Sequence, residues 1–307
     1  MEYVLQASGL TKSYRKDRVL NGVSMNIQRG DIYGFVGENG SGKTTVIRII
    51  TGLIYADSGE FSLFGTKSTD KAILKARSRM GAIVESPSIY LNMSAKENLL
   101  LQSRILGINN ENKCKEILNT VGLGSLWDNK KASGNFSLGM RQRLGIAMAL
   151  IGDPEFIILD EPMNGLDPAG IVEIRELILH LNRDKGITFL ISSHILTELA
   201  LVATRYGIIS RGRLMQEISA AELERVCSHN TVIKTTKRDA LVSLLSSDFG
   251  KDIIDVIDDG VCINGDINLN TVLGKIIDAK IPITAVNTHR SSIEEYYLSM
   301  MGGNKNA

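Results

Sequence analysis

An α/β fold is predicted: a parallel sheet covered on both faces by helices, interrupted by a helical insert and followed by a small α+β domain. Three observations carry this reading. Short strands that are apolar throughout, Phe156-Ile157-Ile158-Leu159 and Thr188-Phe189-Leu190-Ile191, suit positions buried on both faces of a sheet. The run Ile32-Tyr33-Gly34-Phe35-Val36 leads into a glycine-rich turn and then a segment able to begin a helix, the strand–turn–helix step of an open α/β sheet. After Met215 the strand and helix signals restart, and at 307 residues the chain passes the size at which one core usually stops growing.

Taken in order, Tyr3-Val4-Leu5-Gln6-Ala7 and Val23-Ser24-Met25-Asn26-Ile27 alternate as short half-buried strands do. Thr45 to Ile50 starts the first helix. Between residues 85 and 150, Leu99, Leu100, Ile105, Ile117, Leu118 and Val121 fall at helical spacings, which places a helical subdomain at about 86–152. Leu144 to Leu150 reads as an apolar helix with Ser137 as its N-cap. The tail offers a linking helix (Ala220 to Val226), then strand Thr231–Thr235, helix Arg238–Leu245 and strand Asp252–Ile257. A turn at Asp258-Asp259-Gly260 leads to strand Val261–Ile263, helix Leu269–Ala279, strand Ile283–Val286 and a last helix Ile293–Met300. The middle six elements spell β-α-β-β-α-β, the split ferredoxin-like order, with Asp259-Gly260 as a hairpin signal. The expected domains are therefore 1–217 and 218–307.

Composition removes several function classes. With 43% hydrophobic and 22% charged residues, the chain is neither disordered, collagenous nor a coiled coil. Its formal net charge of +1 gives no bulk field for holding nucleic acid. Cys114, Cys227 and Cys262 are far apart and never in C-x-x-C spacing, which argues for a reducing compartment and against a structural metal. The first residues hold no apolar stretch of signal-peptide length, and no window approaches the ~20 apolar residues of a membrane-spanning helix. Any membrane contact is expected to come through partners.

Gly37-Glu38-Asn39-Gly40-Ser41-Gly42-Lys43-Thr44 satisfies G-x-x-x-x-G-K-[ST] between a strand and a helix. Glycines there let backbone N–H groups turn inward, so that the amides and the positive helix end cradle phosphate oxygens. Lys43 would reach the β- and γ-phosphates and the Thr44 hydroxyl would bind Mg²⁺. This loop alone leaves kinases, GTPases and motor ATPases open. Phe156 to Leu159 then delivers Asp160 and Glu161 at a strand's carboxyl end, where ligands sit in open parallel sheets. Asp160 suits the Mg²⁺ shell, and Glu161 suits polarising an attacking water. Ser137 stands 23 residues before Asp160 and His194 34 after it. Ser137 begins a helix beside Gly139, a place suited to an anion, and His194 follows a strand toward the same edge.

This ordered set resembles the ATP-binding cassette family: a Walker A loop (Gly37 to Thr44), a signature segment (Phe136 to Met140), a Walker B strand (Phe156 to Glu161), Asn164-Gly165-Leu166-Asp167 as D-loop and His194 as switch histidine, over residues 2 to about 217. The resemblance implies a P-loop nucleotidase core that hydrolyses ATP with Mg²⁺. It also implies head-to-tail pairing with a second copy, so that ATP lies between one copy's phosphate loop and the other's Ser137 and Gly139. Gly37, Asn39, Gly40, Ser41 and Gly42 would contact the phosphates with Lys43, Thr44 and Thr45. Tyr14, 23 residues before Gly37, matches the aromatic that stacks on adenine.

Two departures are informative. The signature reads Phe136-Ser137-Leu138-Gly139-Met140 where the family usually has Leu-Ser-Gly-Gly-Gln, and Glu85 stands where the Q-loop glutamine normally ends its strand. A carboxylate there resembles lantibiotic-immunity ATPases and their bacitracin-resistance relatives, which also carry a short tail. The resemblance implies an ATP-hydrolysing subunit at the cytoplasmic face of the membrane, docked through the stretch near Glu85 to Leu101 on transmembrane permease subunits. Its expected cargo is an antimicrobial peptide of the lantibiotic kind; the alternative cargo is bacitracin or another small molecule. Glu85 is expected at Mg²⁺ or the attacking water. A soluble cassette acting on ribosomes or DNA fits less well, because such proteins carry two cassettes or long coiled coils. The tail's role stays open among sensor, dimer brace and spacer.

Overall fold

The structure, a computed structural model, describes residues 2–227, 229–249, 253–264, 267–290 and 296. It divides into two compact units between Ala220 and Ala221. The first unit opens with an antiparallel pair, β1 (Tyr3–Tyr14) and β2 (Asp17–Gln28), followed by β3 (Ile32–Val36), α1 (Lys43–Thr51), β4 (Ser58–Leu63), β5 (Thr66–Lys67), α2 (Ile73–Arg77) and β6 (Met80–Ile83). Helices α3 (Ala95–Ile105), α4 (Glu111–Thr120) and α5 (Leu138–Leu150) form the insert. The core then resumes with β7 (Phe156–Asp160), α6 (Pro168–Lys185), β8 (Thr188–Ser193), α7 (Leu196–Leu199), β9 (Arg205–Ser210) and β10 (Arg213–Ser219).

Six strands form the sheet β10-β9-β3-β8-β7-β6, in which β9, β3, β8, β7 and β6 run parallel and β10 closes one edge antiparallel. Every residue of β3, β7 and β8 is buried, as their unbroken apolar runs require of strands covered on both faces. A second sheet, β2-β1-β4-β5, shares a core with the first through Leu5, Leu20, Met25, Phe35, Ile47 and Phe156.

β1 and β2 are each 12 residues long, more than twice the lengths expected from the sequence. Register shifts between Ala7 and Leu10 and between Lys12 and Ser13 put successive stretches out of phase, so no single period of two runs through them. Tyr14 is the last residue of β1. Ser137 caps α5 as expected, its hydroxyl accepting from the Met140 amide at 3.2 Å, and the helix runs from Leu138 through the polar Arg141, Gln142 and Arg143 into its apolar stretch.

Helix α8 (Ala220–Val226) starts at the boundary, and the second unit continues with β11 (His229–Thr235), α9 (Arg238–Phe249), β12 (Ile254–Ile257), β13 (Gly260–Asn264), α10 (Leu269–Asp278) and β14 (Ile283–Arg290). The strands order as β12-β13-β11-β14, all antiparallel, the arrangement that two interlocked β-α-β units produce. Ile233, Leu241, Leu245, Val261, Ile263, Val272 and Ile276 are its fully buried core. The hairpin loop is Asp258-Asp259, one residue earlier than the Asp-Gly signal suggests. Gly260 already belongs to β13, and a Cβ on it would lie 2.1 Å from the Ile233 carbonyl, so the glycine permits close strand approach rather than a turn. The expected helix Ile293–Met300 lies outside the described residues, Tyr296 excepted.

Candidate active site

The loop after β3 turns into α1 through Gly42, whose φ of 110° makes it a left-handed N-cap with no side-chain cap. The first amides of α1 therefore face outward without a capping oxygen, the arrangement that receives an anion. A Cβ at Gly42 would stand 2.6 Å from Leu20 Cδ2, so glycine is required twice over. Ser41 Oγ is buried without a hydrogen-bond partner among the described residues, and Asn39 and Gly40 form the exposed crest of the loop. Lys43 is 5% exposed; its Nζ donates to the Gly37 carbonyl at 2.6 Å and lies 3.4 Å from Glu161 Oε1. Thr44 and Thr45 complete the first turn of α1. An orphaned hydroxyl, a cationic amine and uncapped amides around one glycine cradle fit a polyphosphate.

On the neighbouring strands, Asp160 ends β7 and is 2% exposed. Glu161 follows with a φ of 50°, a left-handed conformation uncommon outside glycine. Its amide donates to Ser192 Oγ at 2.9 Å, and its Oε2 lies 2.7 Å from His194 Nδ1. One carboxylate thus joins Lys43 on one side and His194 on the other, bringing together three residues that are far apart in sequence. Asp160 lies beside them, and its Oδ1 accepts from Ser192 Oγ at 2.5 Å. Among the described residues no cluster of three or more His, Cys, Asp or Glu side chains could hold a metal alone. A cation here would rest on Asp160 and Thr44 with the remaining positions filled by phosphate and water, which is how Mg²⁺ is commonly held.

Two residues of this edge escape a reading of the sequence. Ser192 pairs directly with Asp160 in the parallel ladder, and its only sequence signal is a hydroxyl at the end of an apolar strand. Glu198, in the first turn of α7, accepts from Ser193 Oγ at 3.4 Å. Burial, with the Glu161 carboxylate adding a smaller push, raises its pKa, while Ser193 and His194 act against the shift.

Other expected site residues lie elsewhere. Ser137 and Gly139 start α5, where Gly139 faces Leu166 and Gly170, and no hydrogen bond joins them to the phosphate loop among the described residues. Tyr14 sits 41% exposed at the tip of the β1–β2 hairpin, with Lys12 Nζ 5.9 Å from its ring centre. Glu85 lies just past β6 with a φ of 64° and pairs with Arg48 of α1. Among the described residues no helix is long and apolar enough to cross a membrane.

Comparison with known proteins converges on one group. Residues 20–164 match the family described as ABC transporter. The bacitracin transport ATP-binding protein BcrA of Bacillus licheniformis is 39% identical over 99% of both chains. The lantibiotic transport ATP-binding protein SrtF of Streptococcus pyogenes is 42% identical over 70% of this chain and 90% of its own. Among solved structures, an ATP-binding cassette of an ABC transporter in its ADP conformation, MJ1267, superposes with a TM-score of 0.66 at 28% identity, covering 74% of this chain and 95% of its own.

Proposed function

The chain belongs to the ABC transporter family as an ATP-binding, ATP-hydrolysing subunit, and we propose that it powers removal of a peptide antibiotic through permease subunits at the cytoplasmic face of the membrane. The observation that carries the chemistry is the Glu161 carboxylate held between His194 Nδ1 at 2.7 Å and Lys43 Nζ at 3.4 Å, beside the buried Asp160. In this reading the α1 amides, Lys43 and Ser41 hold the phosphates. Thr44 and Asp160 hold Mg²⁺, which supplies neutralisation of charge at the transferred phosphate. Glu161 orients the attacking water as a general base, and His194 holds the Glu161 carboxylate and faces the γ-phosphate. Tyr14 stacks on adenine.

Ser137 and Gly139 serve a second copy of the chain. Their helix start lies on a different element from the phosphate loop, with Leu138 40% exposed beside it, which suits a nucleotide sandwiched between two copies head to tail. Glu85 leads from the sheet edge into the helical insert and couples the nucleotide to the permease. As to cargo, the bacitracin relative matches across 99% of the chain, tail included, and the lantibiotic relative across 70%. This difference favours a bacitracin-like peptide over a lantibiotic.

Two measurements test the reading. Glu161→Gln protein should bind ATP, stop hydrolysing it and elute as a dimer with MgATP; a strictly monomeric species at high concentration would sink the sandwich. Cells expressing the chain with its permeases should resist bacitracin more than a lantibiotic, and unchanged susceptibility to both would remove the cargo assignment.

A further inference from the structure

Ser192 is fully buried, the fifth residue of a six-residue strand whose other members are apolar or hydrogen-bonded at its ends. In the parallel ladder it stands opposite Asp160 on one side and Phe35 on the other. Paired residues of a parallel ladder project to the same face of the sheet, so this register delivers the Ser192 hydroxyl to the Asp160 carboxylate. The hydroxyl does two things at once. It donates to Asp160 Oδ1 at 2.5 Å and accepts the Glu161 amide at 2.9 Å. The Glu161 amide also lies 3.2 Å from the Ser192 carbonyl.

We infer that Ser192 is a positioning residue for both acidic groups of the site, aiming the Asp160 carboxylate at the cation and holding Glu161 in its left-handed conformation. The inference rests on the proposed roles of Asp160 and Glu161 and adds a residue that touches neither nucleotide nor water. The physical need is clear on both sides. A carboxylate 2% exposed must be oriented by hydrogen bonds, because water cannot do it, and a charge-assisted O–H···O⁻ bond is short and directional. Glu161 carries a backbone conformation that L-residues rarely adopt, which persists only where surrounding contacts fix it. One hydroxyl meets both requirements, so removing it frees the Asp160 carboxylate to rotate and takes one of two acceptors from the Glu161 amide. Partners of this second-layer kind typically change metal affinity or activity by about 10- to 100-fold when lost.

The test uses the full chain and four variants, Ser192→Ala, Ser192→Thr, Asp160→Asn and Glu161→Gln. Mn²⁺ binding is read by electron paramagnetic resonance in the presence of a non-hydrolysable ATP analogue, and the Mg²⁺ dependence of steady-state hydrolysis is read separately. Ser192→Ala should weaken Mn²⁺ binding and raise the Mg²⁺ needed for half-maximal hydrolysis by about tenfold. Nucleotide affinity without a divalent cation should stay unchanged, and Ser192→Thr, which keeps the hydroxyl, should restore both properties. Should the alanine variant lose nucleotide binding, Ser192→Cys keeps the volume with a weak donor and should show the same metal defect. Wild-type Mn²⁺ binding and Mg²⁺ response in Ser192→Ala or Ser192→Cys, with Asp160→Asn impaired, would overturn the inference while leaving the site reading intact. Unimpaired Mn²⁺ binding in Asp160→Asn would overturn both.

Discussion

At the amino end of β7, Glu155 is gripped by Arg79 at 2.6 and 2.9 Å and by Arg29 at 2.8 Å; at the carboxyl end, five residues on, Asp160 has a serine hydroxyl for company and Glu161 is shared by Lys43 and His194. The first end is a closed ion network, since Arg29 also binds Glu2 and Arg79 lies over the Phe64 ring. The Arg79 hydrogen bonds, with the single one from Arg29, hold the Glu155 carboxyl down at about 2. The second end keeps a Ser41 hydroxyl without a hydrogen-bond partner among the described residues, together with uncapped α1 amides. One strand thus shows both fates of charge at its two ends. Where every group is satisfied within the chain, the result is stability; where groups are left to be completed, the chain is ready for a ligand.

The largest effect should come from breaking the incomplete end. Lys43→Ala removes the preorganised donor proposed for the phosphates and should lower ATP hydrolysis by at least ~100-fold, while the thermal midpoint moves little, because among the described residues Lys43 reaches only loop carbonyls and Glu161. Steady-state hydrolysis and calorimetry on the same preparation decide it. A drop of many degrees in the midpoint would mean that Lys43 is a structural ion-pair residue like Arg79, and the contrast between the two ends would fail.

How much of this was readable in the sequence follows the same division. The phosphate loop and the Asp160-Glu161 pair are contiguous in the chain and set by their chemistry, so residue types at fixed spacing reveal them. His194 was legible through its place after an apolar strand. Ser192 was not, because its partner is 32 residues away and only the β7–β8 register joins them. Glu155, Arg79 and Arg29 were invisible for the same reason, being exposed-looking charges that precede β7 and β6 or sit in the turn between β2 and β3. The length of β1 and β2 was hidden by their register shifts. The β-α-β-β-α-β order of the second unit was legible since its elements are short and well separated, whereas the reason for Gly260 lay in the Ile233 carbonyl across the sheet.

Glu85 sharpens the comparison because it combines the two situations: it lies past the carboxyl end of β6, on the chemistry side, yet has a cationic partner in Arg48. Both side chains are more than a third exposed, at 60% and 37%, and exposed pairs contribute below about 1 kcal/mol. Glu85→Gln should therefore leave stability unchanged and shift the Mg²⁺ dependence of hydrolysis by only about two- to fivefold. The difference from wild type should narrow in high salt as screening shortens the reach of the charge. An unaltered Mg²⁺ response at low salt would make Glu85 a plain surface partner of Arg48.

The smallest effect is expected at the closed end, and its sign follows from the direction of the Glu155 shift. A carboxyl that titrates near 4.5 in the unfolded chain and at about 2 in the folded one binds protons more readily unfolded. Its contribution is therefore complete above about pH 5 and fades as the pH falls through the interval between those two values. Glu155 is 36% exposed, so solvent screening reduces the contribution to about 1 kcal/mol, which corresponds to roughly 2–4 °C for a unit of this size. Glu155→Gln should lower the midpoint by that amount at neutral pH and leave hydrolysis at 25 °C unchanged. The gap from wild type should shrink progressively below about pH 4.5 as the wild-type carboxylate gains its proton. A gap that stays constant down to pH 3 would mean that the glutamine variant loses packing rather than charge, and a fall in hydrolysis at neutral pH would mean that the two ends of β7 are not independent.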